Sequence, residues 1–290
     1  MAETINELSP PESKACLAKR LGISRASLYY QPMLPAKDLA LKAEIDRVMI
    51  KHKAYGHRRI ALELKVNKKR IKRVMKLFGL ILKRKRKKPS KPKDLGQAPM
   101  IIPNLVLGLI IEAPQQAWVS DFTYLPYFGR FIYLATVEDV FTRRVVGWAV
   151  ATKHCTELVA YALINAVENY PLPRIIHSDQ GSEYRSEDYL NLLKSLSIKP
   201  SMSAKASPWQ NGYQESFYSG FKLELGHPEI YPTLGELVEA IAGQIYYYNH
   251  QRIHTALKCP PATFAQRYLL TKNFTNTNQL TNQVLMRQVV

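Results

Sequence analysis

Cysteine is scarce in this sequence: Cys16, Cys155 and Cys259 are the only three in 290 residues, far apart and without a CxxC pair. This usage indicates neither a disulfide framework nor a cysteine zinc site, and it fits a reducing cytoplasm. No run of about 18 apolar residues occurs, so no membrane-spanning helix and no membrane partner are expected. The opening MAETINELSPPESK lacks a basic segment followed by an apolar one, so it does not read as a secretion signal. No internal repeat is visible. The most informative shortage is of acidic residues in the first third. Residues 1–100 hold 26 Lys and Arg against 8 Asp and Glu, whereas residues 101–290 hold 15 of each. The formal charge of +18 therefore sits wholly at the front, and the remainder is a neutral globule. Lysine and arginine that neutralise phosphates release condensed counterions, so such a front segment reads as a nucleic-acid binder. A hydrophobic content of 46% is enough to build a core behind it.

Five segments follow from the local patterns. Residues 1–36 read as an N-terminal helix-turn-helix. Leu17 and Leu21 share a face, Gly22 supplies the turn, and Ser24 caps a second helix over Arg25–Tyr30. Ile23 and Leu28 are then directed inward, leaving Arg25 and Ser27 to meet DNA; a groove reader and a purely structural hairpin fit equally well. Residues 37–82 read as a second helical unit. It has an amphipathic helix at Leu39–Lys51 and a pair at His57–Leu64 and Lys68–Phe78, with Asn67 as N-cap and Gly79 as stop. Ile71, Val74, Met75 and Phe78 form one apolar stripe. Lys68, Lys72 and Lys76 line the other side, with Lys69 and Arg73 beside them, as in a helix laid on a phosphate backbone. Arg58 and Arg59 join this DNA-facing set. Solvated faces usually mix signs, yet Lys65–Lys93 carries 15 basic residues and no acidic one. Within it Lys83, Arg84, Lys85, Arg86, Lys87 and Lys88 form a basic arm that is expected to order on DNA, part of a linker over 83–115.

From residue 116 to 270 the texture is that of a mixed α/β domain. Ala117–Tyr127, Phe131–Glu138 and Arg143–Ala151 read as a three-stranded meander, with a short turn at Phe128–Gly129. A helix (Thr156–Tyr170) follows, with Leu158, Tyr161, Ala162 and Asn165 on one side. Next come a short strand (Pro173–Ser178), a helix (Ser186–Leu196), a strand (Ile198–Met202) and helices at Ser207–Leu225 and Thr233–His250. This order implies a mixed sheet with helices on its faces. The tail, 271–290, is polar and amide-rich.

Three carboxylates stand where such a sheet would bring them together. Asp121 lies in the first strand, Asp179 directly follows the fourth, and Glu215 lies on the helix that begins near Pro208. With the first and fourth strands side by side, the two aspartates face each other, and a helix crossing the sheet edge lowers Glu215 into the same pocket. Clustered anions repel unless a cation holds them. Hard carboxylate oxygens suit Mg²⁺, and two such ions serve phosphodiester cleavage.

Thirty-five residues separate Asp179 from Glu215. With Asp121, this spacing resembles the D-D-35-E pattern of retroviral-integrase-like transposases. The surrounding sequence most resembles the second-reading-frame product of the insertion sequence three family. The matching pieces are LGISRASLYY at 21–30, YGHRRI at 55–60, WVSDFTY at 118–124, HSDQGSEY at 177–184, SPWQNG at 207–212 and YNHQRIHTAL at 248–257. The resemblance implies a ribonuclease H-like core that cuts and joins the ends of a mobile element. It implies that Asp121, Asp179 and Glu215 bind two Mg²⁺ ions, with Mn²⁺ as a substitute. It implies DNA contact by Lys222, seven residues after the glutamate, and supporting roles for Asn211, Arg252 and His254. Double-stranded DNA, a homo-oligomer of at least two chains and a first-reading-frame companion are the implied partners, in a bacterial cytoplasm at the nucleoid. One departure is that Asn104–Leu105 is followed by VLGLI, where the family often shows an Arg and a Phe.

Other residues read as structural: Glu138 and Asp139 as turn residues, Glu183 as a minor loop contact, His177 as a packed strand residue, and Tyr246, Tyr247 and Tyr248 as sheet packing rather than base stacking. Two other functions fit the same residues: a non-catalytic DNA-binding regulator and a structure-specific ribonuclease H-like nuclease.

Overall fold

A computed structural model describes residues 13–29, 34–80, 102–203 and 212–272. The first element is a short helix, α1 (Lys14–Arg20), capped by Ser13, whose side chain accepts from the Cys16 N–H. The predicted second helix of this hairpin is instead a 3₁₀ turn over Arg25–Tyr29, with the Ser24 hydroxyl accepting from Ser27 N–H. Of Ile23 and Leu28, expected to pack inward, Ile23 is exposed and Leu28 is half-buried. So short a hairpin offers only Ala18 as a fully buried apolar residue among those described.

Helices α2 (Leu34–Lys51), α3 (His57–Glu63) and α4 (Lys68–Leu77) pack around Leu41, Ile45, Ile60, Ile71 and Val74. The predicted stripe of α4 is the buried one, and its cap is Asn67, whose side chain accepts from Lys69 N–H. Gly79, at φ +65, ends it in the left-handed conformation that glycine adopts without strain. This trio docks on the core through two polar links. His52 Nδ1 lies 2.6 Å from the Tyr247 hydroxyl, and the Tyr55 hydroxyl accepts from Ile253 N–H at 2.6 Å.

The core is a five-stranded sheet in the order β3-β2-β1-β4-β5. Strands β1 (Ala117–Tyr127), β2 (Arg130–Asp139) and β3 (Val145–Ala151) form the antiparallel meander. Strands β4 (Ile175–Ser178) and β5 (Lys199–Met202) add in parallel beside β1. Helices α5 (Thr156–Asn169) and α6 (Glu187–Ser195) cover one face, burying Trp118, Val137, Leu158 and Leu163. On the other face α7 (Gly212–Leu225) and α8 (Leu234–His250) bury Ile132, Leu134, Phe217 and Ile241. A last helix, α9, spans 261–272. Alternation along the strands sorts these layers: Trp118 and Val137 face α5, whereas Leu134 and Thr136 face α7. This is the expected mixed sheet with flanking helices. Among the described residues no helix is long and apolar enough to cross a membrane.

Candidate active site

Parallel pairing of β1 with β4 runs to Val119 opposite His177. Asp121 and Asp179 each lie two residues beyond that pair, so the same register sets them side by side. Glu215 enters from the first turn of α7, where the positive end of the helix favours a carboxylate. Two side chains fix that turn against the strands. Gln214, fully buried, donates from Nε2 to Val119 O at 2.9 Å and accepts from Thr136 Oγ1 at 3.0 Å. One turn later the Tyr218 hydroxyl donates to Asp121 O at 2.6 Å and lies 2.8 Å from Thr136 Oγ1. The helix that carries Glu215 is therefore bonded to the backbone carbonyls of Val119 and of Asp121 itself. Sequence reasoning missed Gln214, Thr136 and Tyr218. The available signal was that 214 and 218 share a helix face adjoining that of Glu215.

The electrostatics are those of a gathered anionic site. The Asp121 carboxyl is pushed up to about 7, first by burial and then by the charge of Asp179. Glu215 adds to the shift, while the Phe122 N–H and Lys222 oppose it. The three carboxylates thus sense one another, but they do not close into a finished cage. Among the described residues no three His, Cys, Asp or Glu side chains are close enough to hold an ion. The donor set nevertheless fits Mg²⁺, being carboxylate oxygen throughout. Each aspartate also commits one oxygen to a backbone N–H, from Phe122 at 2.8 Å and from Gly181 at 2.9 Å, which orients the other. A side chain at Gly181 would come within 3.0 Å of both Asp179 Oδ1 and Glu183 Oε2. Glu183 is thus a buried neighbour of Asp179 rather than an incidental loop residue, and its Oε1 lies 2.7 Å from His154 Nδ1.

The other predicted residues fall into three groups. Arg25, Ser27, Arg58, Lys68, Lys69, Lys72 and Lys76 are exposed. Arg73 shares their face but is ion-paired at 2.6 Å with buried Asp38. Arg59 is turned inward instead, donating to Ala54 O at 3.3 Å and lying 5.7 Å from the centre of the Tyr55 ring. Lys222 sits 4.8 Å over the ring of Tyr124, three residues along β1 from Asp121. Arg252 is buried, and its Nε donates to Glu224 on α7 at 2.7 Å, so it braces the helix that bears Glu215. Gly220 makes room for it, since a Cβ there would meet Arg252 Nη2 at 2.7 Å. His254 pairs through its backbone with Cys259. Asn211 and Lys83, Arg84, Lys85, Arg86, Lys87 and Lys88 lie outside the described residues.

Of the residues read as structural, Asp139 is a turn cap, accepting from Thr142 N–H and hydroxyl and from Gln115 N–H. Glu138 is different. It is buried on the same sheet face as Asp121, and its Oε2 has no hydrogen-bond partner among the described residues. Tyr248 is packed in the core and Tyr247 is bonded to His52, whereas Tyr246 is exposed and stacks on His250.

Known proteins share this arrangement of sequence. Residues 111–208 and 196–261 match two family descriptions, each an integrase core domain. The chain is similar to the transposase for insertion sequence element IS904 of Lactococcus lactis, with 35% identity over 75% of this chain and 89% of that protein. It is similar to the putative transposase InsK for insertion sequence element IS150 of Escherichia coli, with 32% identity over 88% of this chain and 94% of that one. A more distant likeness is to the HTLV-2 integrase catalytic core in complex with magnesium, at 20% identity and a TM-score of 0.42, over 52% of this chain and 97% of that one. On the extent and identity of the transposase matches, the chain belongs to the DDE transposases of the insertion sequence three family, enzymes with an integrase-type core that transpose DNA.

Proposed function

We propose that Asp121, Asp179 and Glu215 form the catalytic site of this transposase and hold two Mg²⁺ ions, for which Mn²⁺ substitutes. The observation that carries this reading is the buried Asp121 carboxyl beside Asp179 and Glu215, pushed up to about 7 first by burial and then by those two charges. Ions bound there would polarise the scissile phosphate and lower the pKa of the attacking hydroxyl. The chain's own residues do the rest. Gln214 and Tyr218 hold the helix turn of Glu215 against the strand of Asp121, and Lys222 meets DNA just beyond them. Water attack frees a 3′-hydroxyl at the element end, and that hydroxyl attacks a second phosphodiester without a covalent enzyme intermediate.

In the same reading residues 1–36 and 37–82 are DNA-binding units, 83–115 a basic linker, 116–270 the catalytic core and 271–290 a polar tail. Double-stranded terminal repeats and target DNA are the substrates. Two element ends must be held together, so the active form is at least a dimer, and a first-reading-frame companion completes end recognition. The test is incubation of the full chain with a duplex of the element's terminal repeat and a plasmid target, with Mg²⁺ or with chelator. Joined product in Mg²⁺ and none in chelator is expected. Cleavage without joining would favour the nuclease reading, and binding with no chemistry the regulator.

A further inference from the structure

Beside the carboxylates lies a cavity of about 810 Å³. Its floor is the α7-facing side of the sheet, where Glu138 and His177 flank Val119 on the neighbouring strands. Its walls are the N-terminal turns of α7, the segment around Leu107 and the loop that follows α8. Ser216, the residue after Glu215, is on its rim, so the cavity opens next to the proposed chemistry.

The lining is unusual in two ways. Three of its lining residues each carry a buried side-chain atom with no hydrogen-bond partner among the described residues: Glu138 Oε2, His177 Nε2 and His254 Nδ1. Buried polar groups are nearly always satisfied, so three at one cavity point to a ligand that satisfies them. Between them the walls are apolar and aromatic, with Phe217, Tyr248 and Leu107. A single ion does not fit this pattern. Glu138 and His177 sit two strands apart, about 9.6 Å between Cα atoms by the usual strand spacing. No three ligating side chains among the described residues converge. A flat heterocycle with hydrogen-bonding edges does fit, and Arg59 and Arg143, also on the lining, supply cations for an attached phosphate.

We propose that this cavity receives an extrahelical nucleotide of the bound DNA, its base against Phe217 and Tyr248 and its edge on Glu138 and His177. This rests on the DNA-joining reading above. Burial holds the Glu138 carboxyl up to about 8, so at neutral pH it both donates and accepts, as a base edge requires. The His254 imidazole is held near 4, first by burial, so it offers one donor or acceptor rather than a charge. Extrusion costs unstacking, which aromatic contact in the cavity offsets.

The test uses the full chain with terminal-repeat duplexes carrying 5-iododeoxyuridine singly at successive positions, bound in Ca²⁺ and irradiated, with crosslinked peptides mapped by mass spectrometry. One position near the cut end is expected to crosslink to Phe217 or Tyr248. The crosslink should vanish in Ala256→Trp, which fills the cavity from an exposed loop residue on its lining. Thr255→Trp is the second block if the first variant fails to fold. Crosslinks that never reach these residues, or that persist in a folded blocking variant, overturn the proposal. Joining activity is assayed separately in Mg²⁺. Joining without the crosslink sinks the cavity alone, and the crosslink without joining sinks the catalytic reading alone.

Discussion

Glu138 sits where a carboxylate is costly, and the cost has a pH signature. Its pKa rises from an ordinary 4.5 to about 8, through burial and the nearby Asp139, against the pull of Arg143. Between those values the folded chain keeps a proton that the unfolded chain releases. This group's contribution to stability therefore falls as pH rises from 4.5 to 8 and stays low above that. Glu138→Gln should flatten that fall and raise the urea midpoint at pH 8 relative to the parent, with little difference at pH 5. Equal midpoints at pH 8 would mean the carboxyl is not buried as described. The role of Glu138 was not legible in the sequence, where it adjoins the turn residue Asp139. Beside it the pairing of β2 with β3 shifts register, at Val137/Glu138. Beside that shift Asn249, from α8, takes both backbone bonds of Val145. Asp179 and Glu215, by contrast, were legible as candidates because spacing and neighbours announce them.

At the scale of elements, periodicity located the strands and the main helices of the core. The two-residue turn at Phe128–Gly129 was also legible, and both residues have positive φ there. What failed was the sorting of faces where packing decides. Tyr161 shares a helical side with Leu158 and Ala162 in the sequence pattern, yet it is exposed. The ties of α7 to the sheet were invisible, because Gln214 and Thr136 are 78 residues apart in sequence. Strand β3 and helix α5 approach each other closely at a glycine. A Cβ at Gly147 would lie 2.3 Å from Ala162 O and 2.5 Å from Ala166 Cβ. Backbone cannot yield as a flexible side chain does, so Gly147→Ala should cost about 1–3 kcal/mol, the usual range for overpacking. Urea unfolding measures it, and a loss below about 0.5 kcal/mol, the surface-substitution range, would place α5 further from the sheet.

Across the whole molecule, charge and core are separated. The basic face of α4 is exposed while its apolar stripe is buried, so its lysines can meet phosphates without disturbing the fold. Replacing Lys68, Lys72 and Lys76 together with Ala should leave the melting temperature nearly unchanged. It should also shallow the dependence of log affinity for duplex DNA on log salt, by about 0.9 for each phosphate left without its lysine. An unchanged slope would take α4 off the DNA. Adjacency to Arg58 groups Arg59 with these residues in the sequence, but tertiary packing turns it towards Ala54 and Tyr55.

The convergence of Asp121, Asp179 and Glu215 is tested most directly by measuring strand joining in Mg²⁺ by Asp121→Asn, Asp179→Asn and Glu215→Gln, each beside its DNA affinity. These replacements keep size and remove one anionic oxygen ligand apiece. All three should lose joining by at least about a hundredfold, the scale of losing an electrostatic contact to the transition state, while binding persists. Joining at the parental rate by any one of them would remove that residue from the site and contradict the shared catalytic centre.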